Sequence, residues 1–304
     1  MADKPNTQAQ PAQQAEELQW VRPKRSVWQR MWRTWSRRPL GLTGLIVVIV
    51  LLLMAALAPF ITPYGPLDMH PIDRLQGPSA KYIMGTDQFG RDMYTRLVFG
   101  SQISLFMGFS SIVVGGISGG LLGLLSAYLG GKTDITMQRI IDIFQAFPQL
   151  VLAMAMVAAL GFGLVQTAMA ISLPAIPRLV RITRSQAISV RSREYVLAAQ
   201  ALGAGGTRML LRHMAPNSAA PWLVAVSASL GGAIIAESSL SFLGLGVPPP
   251  HPSWGGMLSG NSQEYAELAP WLIIYPGIFL SIAVFGFNLF GDAVRDVMDP
   301  RLRR

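Results

Sequence analysis

The sequence predicts an all-α polytopic membrane protein with six transmembrane helices, N- and C-termini cytoplasmic, and an amphipathic interfacial helix ahead of the first span. Three observations carry that expectation. Of 304 residues, 13% are charged and 51% hydrophobic, about half the charge of a soluble domain, and the mean hydropathy is +0.39. Residues 39–67, 101–129, 143–177 and 268–291 contain no Asp, Glu, Lys or Arg, and 214–263 contain only Glu237. Of the 25 Lys and Arg, 21 fall in alternate intervening segments, which the positive-inside rule assigns to the cytoplasm. There is no cysteine, which excludes disulfide and thiolate–metal chemistry.

The elements follow in chain order. Residues 1–19, rich in Gln, Ala and Pro without aromatics, are expected to form a disordered tail. In 20–38, Trp28, Met31, Trp32 and Trp35 share one helical arc with Arg30, Arg33 and Arg37 opposite. This pattern describes a helix lying in the lipid headgroup layer, and the span that follows directly favours anchoring over a calmodulin-like target. The first span is expected near 41–60. Ala56-Leu57-Ala58 resembles a signal-peptide cleavage site, but 40 residues precede the apolar run, too many for a signal peptide.

The second span, 103–129, carries Gly115, Gly116, Gly119, Gly120 and Gly123. Small residues at this spacing let another helix approach closely, either inside this chain or across a subunit interface. The 35 residues 143–177 exceed the roughly 20 needed for one crossing. A break at Gly161-Phe162-Gly163 gives spans at 140–160 and 164–184, the latter running through Pro177. The last two spans fall at 220–245 and 270–291. Because the basic residues are distributed by topology, the formal charge of +9 does not indicate nucleic-acid binding.

Enzyme signatures are missing. His70, His213 and His251 lie in different loops, and no HExxH, CxxC or GxSxG occurs. Ser126 to Thr133 ends like a phosphate-binding GKT loop, but Ser126 stands where glycine is required and a membrane helix precedes it. No catalytic residue, metal or bound cofactor is expected. The segment 191–217 is more informative. Glu194–Gln200 favours helix through Ala and Leu, Gly203–Gly206 break it, Thr207 offers an N-cap for a second short helix, and Pro216 closes that one. Two short helices at an angle, presenting small apolar residues, suit docking into a partner's groove.

This segment resembles the EAA loop of bacterial ABC importer permeases, E-A-A-x3-G-x9-I-x-L-P: Ala198, Ala199, Gly203 and Pro216 match, while Leu197, His213 and Ala215 replace Glu, Ile and Leu. EYVLAAQALGA and RHMAPN are similar to the version in the dipeptide/oligopeptide/nickel branch. GTDQFGRDMYTRLVFGSQISL (85–105), ESSLSFLGLGVPPP (237–250) and FNLFGDAVRDVMDPRLR (287–303) resemble that branch too, most closely its second, C-type permease. The resemblance covers about 40–304. It implies a permease transmembrane domain over 39–304 in the bacterial inner membrane, non-catalytic and working by alternating access. The implied partners are a second homologous permease, two cytoplasmic ATPases that hold ATP and Mg, and an extracytoplasmic substrate-binding protein. Glu194, Ala198, Ala199, Gly203, Ala204, Arg212 and Pro216 would then couple to the ATPases, with Gly203 as the turn and Ala198 and Ala199 small enough to sit against them.

Other residues carry paired readings. Glu237, ionisable within a span, lines the translocation path or pairs inside the bundle. Asp87, Arg91, Asp92 and Arg96 form a local ion-pair cluster, or they contact the binding protein or peptide termini. Segment 246–270 has a rigid turn at Pro248–Pro250 and an acidic character suited to a basic patch on the delivering protein. Di- or oligopeptides are the expected cargo, with nickel chelates, glutathione and small glycosides as alternatives. An ion-driven transporter would call for inverted repeats and several buried acids, whereas Glu237 is the one clear intramembrane carboxylate here.

Overall fold

The computed structural model describes residues 39–298, and among them every regular element is helical. The tail and interfacial helix expected over 1–38 lie outside the described residues. Helix α1 (Pro39–Ala56) opens on proline, whose missing N–H costs nothing in a first turn. Helix α2 (Met93–Leu129) is the longest unbroken α-helix, at 37 residues. Helices α3 (Gly131–Gln145) and α4 (Gln149–Leu160) follow, then α5 (Leu164–Arg191) and the short α6 (Glu194–Ala201). Helix α7 (Gly206–Phe242), the one-turn α8 (Trp254–Met257) and α9 (Trp271–Met298) complete the bundle.

Four helices, α1, α2, α7 and α9, are long and apolar enough to cross a membrane, and the bent pair α3–α4 would make a fifth. The continuous span expected at 140–160 is therefore corrected. The chain turns by 91° between Gln145 and Gln149 at Pro148, whose ψ of 133° lies outside the helical region. That leaves α4 with 12 residues, only about 18 Å of helix. The expected fourth span, α5, continues through Pro174 and Pro177 but reaches Arg178, Arg181 and Arg184 within its length.

Two boundaries also moved. α2 starts at Met93 rather than 103, because Asp92 caps it, accepting from the Thr95 N–H at 2.8 Å, and Arg96 is taken into the interior. Pro216 does not close a short helix. The six residues Met209–Met214 adopt a π register just before it, which removes the usual conflict between a helical proline and the preceding turn. The Asn217 side chain then donates to the His213 carbonyl at 2.7 Å, and the helix continues to Phe242.

The glycines of α2 set the packing of the core. A Cβ at Gly119 would lie 2.6 Å from Leu179 Cβ of α5, and one at Gly123 2.7 Å from the Val180 carbonyl oxygen. On the adjacent face, a Cβ at Gly120 would meet the Trp222 indole at 2.8 Å, and that indole N–H donates to the Gly116 carbonyl at 2.9 Å. Both glycine rows thus serve contacts inside this chain, with α5 and α7. Gly44 of α1 and Gly286 of α9 repeat the arrangement, with Cβ positions 2.6 Å from Leu289 Cβ and 2.4 Å from Val47 Cγ1. Replacing Gly119 with leucine should force α2 and α5 apart and cost about 1–3 kcal/mol. Thermal unfolding of the detergent-solubilised protein should show a lower midpoint, whereas the same change at the exposed Gly232, whose Cβ would meet nothing within 4 Å, should show a smaller loss.

Candidate functional sites

At one end of the bundle the chain forms an elbow between α6 and α7. Gly203 adopts φ +80°, a conformation open to glycine and strained for other residues. Its N–H bonds the Gln200 carbonyl, and the Ala204 N–H bonds the Ala199 carbonyl, each at 3.0 Å. These two bonds make a Schellman closure of α6. The second helix starts from Gly205 rather than from Thr207, with no side-chain cap. Val196 is buried with Val190 and Met209, and Ala199, Ala204 and Tyr128 pack against them. Gly206 lies so close to the Tyr128 hydroxyl that a Cβ there would be 2.0 Å from it.

The expected coupling residues therefore divide into two sets. Ala199 and Ala204 pack inward; Glu194, Ala198, Arg212 and Pro216 are exposed. The outward apolar surface of α6 comes mainly from Leu197, which stands where the loop motif has Glu, and from Leu202, to which the motif gives no role, at 51% and 90% exposure. Their signal was two leucines on either side of an alanine run, just before a helix-ending glycine. Behind the elbow, Arg191 donates to the carbonyls of Ala127 (2.9 Å) and Tyr128 (3.2 Å), closing the C-terminus of α2. Arg184 forms a two-pronged pair with Asp134, at 2.6 and 2.5 Å, and Arg181 reaches Asp142 at 2.5 Å. These pairs fix α3 against α5.

At the opposite end, segments 62–92 and 246–270 fold together. Asp87 accepts from the Arg91 Nε at 2.6 Å and lies 3.5 Å from the Arg96 Nε. Arg96 also donates to the Pro66 and Pro250 carbonyls, at 3.1 and 3.3 Å, joining the two segments. Asp92 is occupied as the α2 cap. Trp271 donates to the Thr86 carbonyl at 3.0 Å. Asp73 accepts from Lys81 at 2.7 Å and from the Tyr82 hydroxyl at 2.8 Å. The Lys81 ammonium, then the Tyr82 hydroxyl, hold the Asp73 carboxyl below its ordinary range.

Glu237 is fully buried in α7. Its carboxyl accepts from the Ser241 and Ser238 hydroxyls at 2.8 and 3.2 Å, and Ser104 of α2 lies beside it. The Ser104 oxygen in turn accepts the backbone N–H of Trp254 at 3.2 Å, and the Trp254 indole donates to the Leu97 carbonyl at 3.0 Å. A buried polar cluster around Glu237 thus lies where α2, α7 and α8 meet. Ser104 had no sequence signal, being one of many serines in an apolar helix. Among the described residues, no three His, Asp or Glu side chains converge on a metal-sized site.

A bundle of long apolar helices with an exposed angular elbow is the build of a membrane-embedded helical subunit, and the comparisons with known proteins give it a transport family. The model of the binding-protein-dependent transport system inner membrane component matches residues 119–304, and that of the N-terminal TM domain of oligopeptide transport permease C matches 26–78. A dipeptide transport system permease protein of Alkalihalophilus pseudofirmus is 40% identical over 278 residues, 91% of each chain. A di/tripeptide permease of Pseudomonas aeruginosa is 37% identical, covering 90% of this chain and 92% of its own. A glutathione transport system permease of Pectobacterium atrosepticum is 36% identical, covering 92% and 93%. The fold matches the solved inward-facing MetNI methionine ABC transporter with a TM-score of 0.57 at 20% identity, over 67% of this chain and 97% of that one. The chain belongs to the binding-protein-dependent transport system inner membrane component family, in the branch of the permease C proteins.

Two outcomes are expected from this geometry. The lowered Asp73 pKa means that its pairing contributes fully above the unfolded carboxylate value of about 4 and is lost as pH falls through the still lower folded value. Hydrogen-exchange protection over 73–86, taken relative to the intrinsic rate at each pH, should therefore be flat from pH 8 to 5 and fall below about pH 4, and Asp73→Asn should remove that step. Glu237→Ala should destabilise the protein by about 2–4 kcal/mol through unpaired hydroxyls and a cavity. A double-mutant cycle with Ser104→Ala, read by thermal unfolding, should be strongly non-additive.

Proposed function

We propose that the chain is the non-catalytic, membrane-spanning permease subunit of an ATP-driven ABC importer for di- and oligopeptides. The permease C relatives named for peptide transport support this cargo. Six spans are reached when the bent pair α3–α4 and the arginine-bearing α5 each count as a crossing. Both termini and the elbow then face the cytoplasm, and segments 62–92 and 246–270 face outward, in keeping with the basic residues. The permease domain occupies 39–304, with its coupling loop at 191–217. A second homologous permease completes the membrane pathway. Two cytoplasmic ATPases hold ATP and Mg, and an extracytoplasmic binding protein delivers the cargo.

The observation that carries the mechanism is the Schellman-closed elbow with Leu197 and Leu202 directed outward. An apolar projection on a rigid turn, seated on the bundle through Val196, Met209 and Tyr128, is suited to transmit motion from an ATPase surface into α5 and α7 and so to drive alternating access. Glutathione, a small peptide, is the second reading of the cargo, favoured by the relative from Pectobacterium atrosepticum.

Native mass spectrometry of the gently solubilised chain should recover one further permease and two ATPases; recovery alone or as a homo-oligomer would overturn the assembly. Leu202→Asp, at an exposed position, should leave insertion intact and reduce peptide-stimulated ATP hydrolysis of the complex at least tenfold. Gly203→Pro, which cannot adopt a positive φ, should abolish it. Stimulation surviving both changes would remove the elbow from the coupling path.

A further inference from the structure

Resting on the importer reading, we propose that a cavity at the outward-facing end is a receiving site for the free carboxylate of an incoming peptide, with Arg91 as its principal contact. The cavity has a volume of about 290 Å³ and is bounded by Asp87, Arg91, Arg96, Ser253 and His251, among others. Its charged wall is unbalanced, with two guanidinium groups facing one carboxylate. Asp87 is fully engaged: one oxygen accepts the Phe89 and Arg91 backbone N–H groups at 2.8 and 2.9 Å, and the other serves Arg91 and Arg96. Asp92 caps α2 through Thr95 and pairs with neither arginine.

The two arginines differ in what they leave free. Arg96 is tied to the Pro66 and Pro250 carbonyls, a bracing role. Arg91 uses only Nε, toward Asp87, and its guanidinium lies 4.6 Å from the centre of the Phe89 ring. Its Nη groups make no hydrogen bond among the described residues, although the side chain is only 7% exposed. Neither Nη is a buried atom left without a partner, so both open to the cavity, where a ligand can replace water as their acceptor. The group that matches its planar fork is a carboxylate. The volume lies at the lower limit of ligand pockets, enough for one end of a peptide but not for a long one. The recessed position favours an inserted chain end over a side chain offered by a docked protein surface.

The test compares uptake of dialanine and dialanine amide by the complete transport system in proteoliposomes, with wild-type chain, Arg91→Gln and Arg91→Lys. The site predicts that Arg91→Gln lowers the acid-to-amide uptake ratio about tenfold, the scale of a charged hydrogen-bonded pair. Arg91→Lys, which keeps the charge but loses the fork, should fall between. If Arg91→Gln fails to assemble, as read by size-exclusion chromatography, the lysine variant decides alone, and an unchanged ratio overturns the site. Equal loss of both forms in an assembled complex also overturns it, assigning Arg91 to structure, or to the binding-protein interface if affinity for that protein falls in parallel. Wild-type import of neither form would overturn the importer reading itself, a result distinct from failure of the site alone.

Discussion

The close contact of α2 with α5 and α7 is the constraint on which the rest of the structure depends. In an apolar surround, helices gain little from hiding apolar side chains from one another, so association depends on how closely their backbones can approach. Gly115, Gly119 and Gly123 open one face of α2 to α5, and Gly116 and Gly120 open the next to Trp222 of α7. With both neighbours seated on α2, its N-terminus lies beside Arg96 and Trp254 and its C-terminus beside Arg191 and Tyr128. The two functional ends are therefore opposite ends of a single rigid rod, about 55 Å long for 37 residues.

Polar groups are placed where they join elements that packing alone would leave loose. Glu237, Ser104 and Trp254 connect two long helices to α8; Arg96 connects two loop segments; Arg184 and Asp134 connect α3 to α5. Buried charges are costly singly and tolerable when fully hydrogen-bonded, and these clusters follow that rule. The elbow obeys the complementary principle. Its backbone is closed internally by Gly203, its inner face is filled by Val196 and Met209, and its large apolar side chains are left outside.

The sequence by itself determined much of this. Apolar length located α1, α2, α7 and α9, because a crossing needs a run of uncharged residues whatever its neighbours are. Glycines at 161 and 163 marked the turn between α4 and α5, and Gly203 the elbow, because positive φ is written locally. The motifs around 85–105, 191–217 and 237–250 pointed to the family before any contact was known. Tertiary structure decided the rest. Arg96 read as a loop charge until Asp87, Pro66 and Pro250 were brought to it, which is why α2 begins ten residues earlier than the expected span. Pro216 read as a helix end until a π turn accommodated it. The direction of Ala199, the exposure of Leu202 and the bond between Ser104 and Trp254, 150 residues apart, depend on partners distant in the chain. Local composition fixes where a helix can exist; which of its faces is covered is settled only when the other helices arrive.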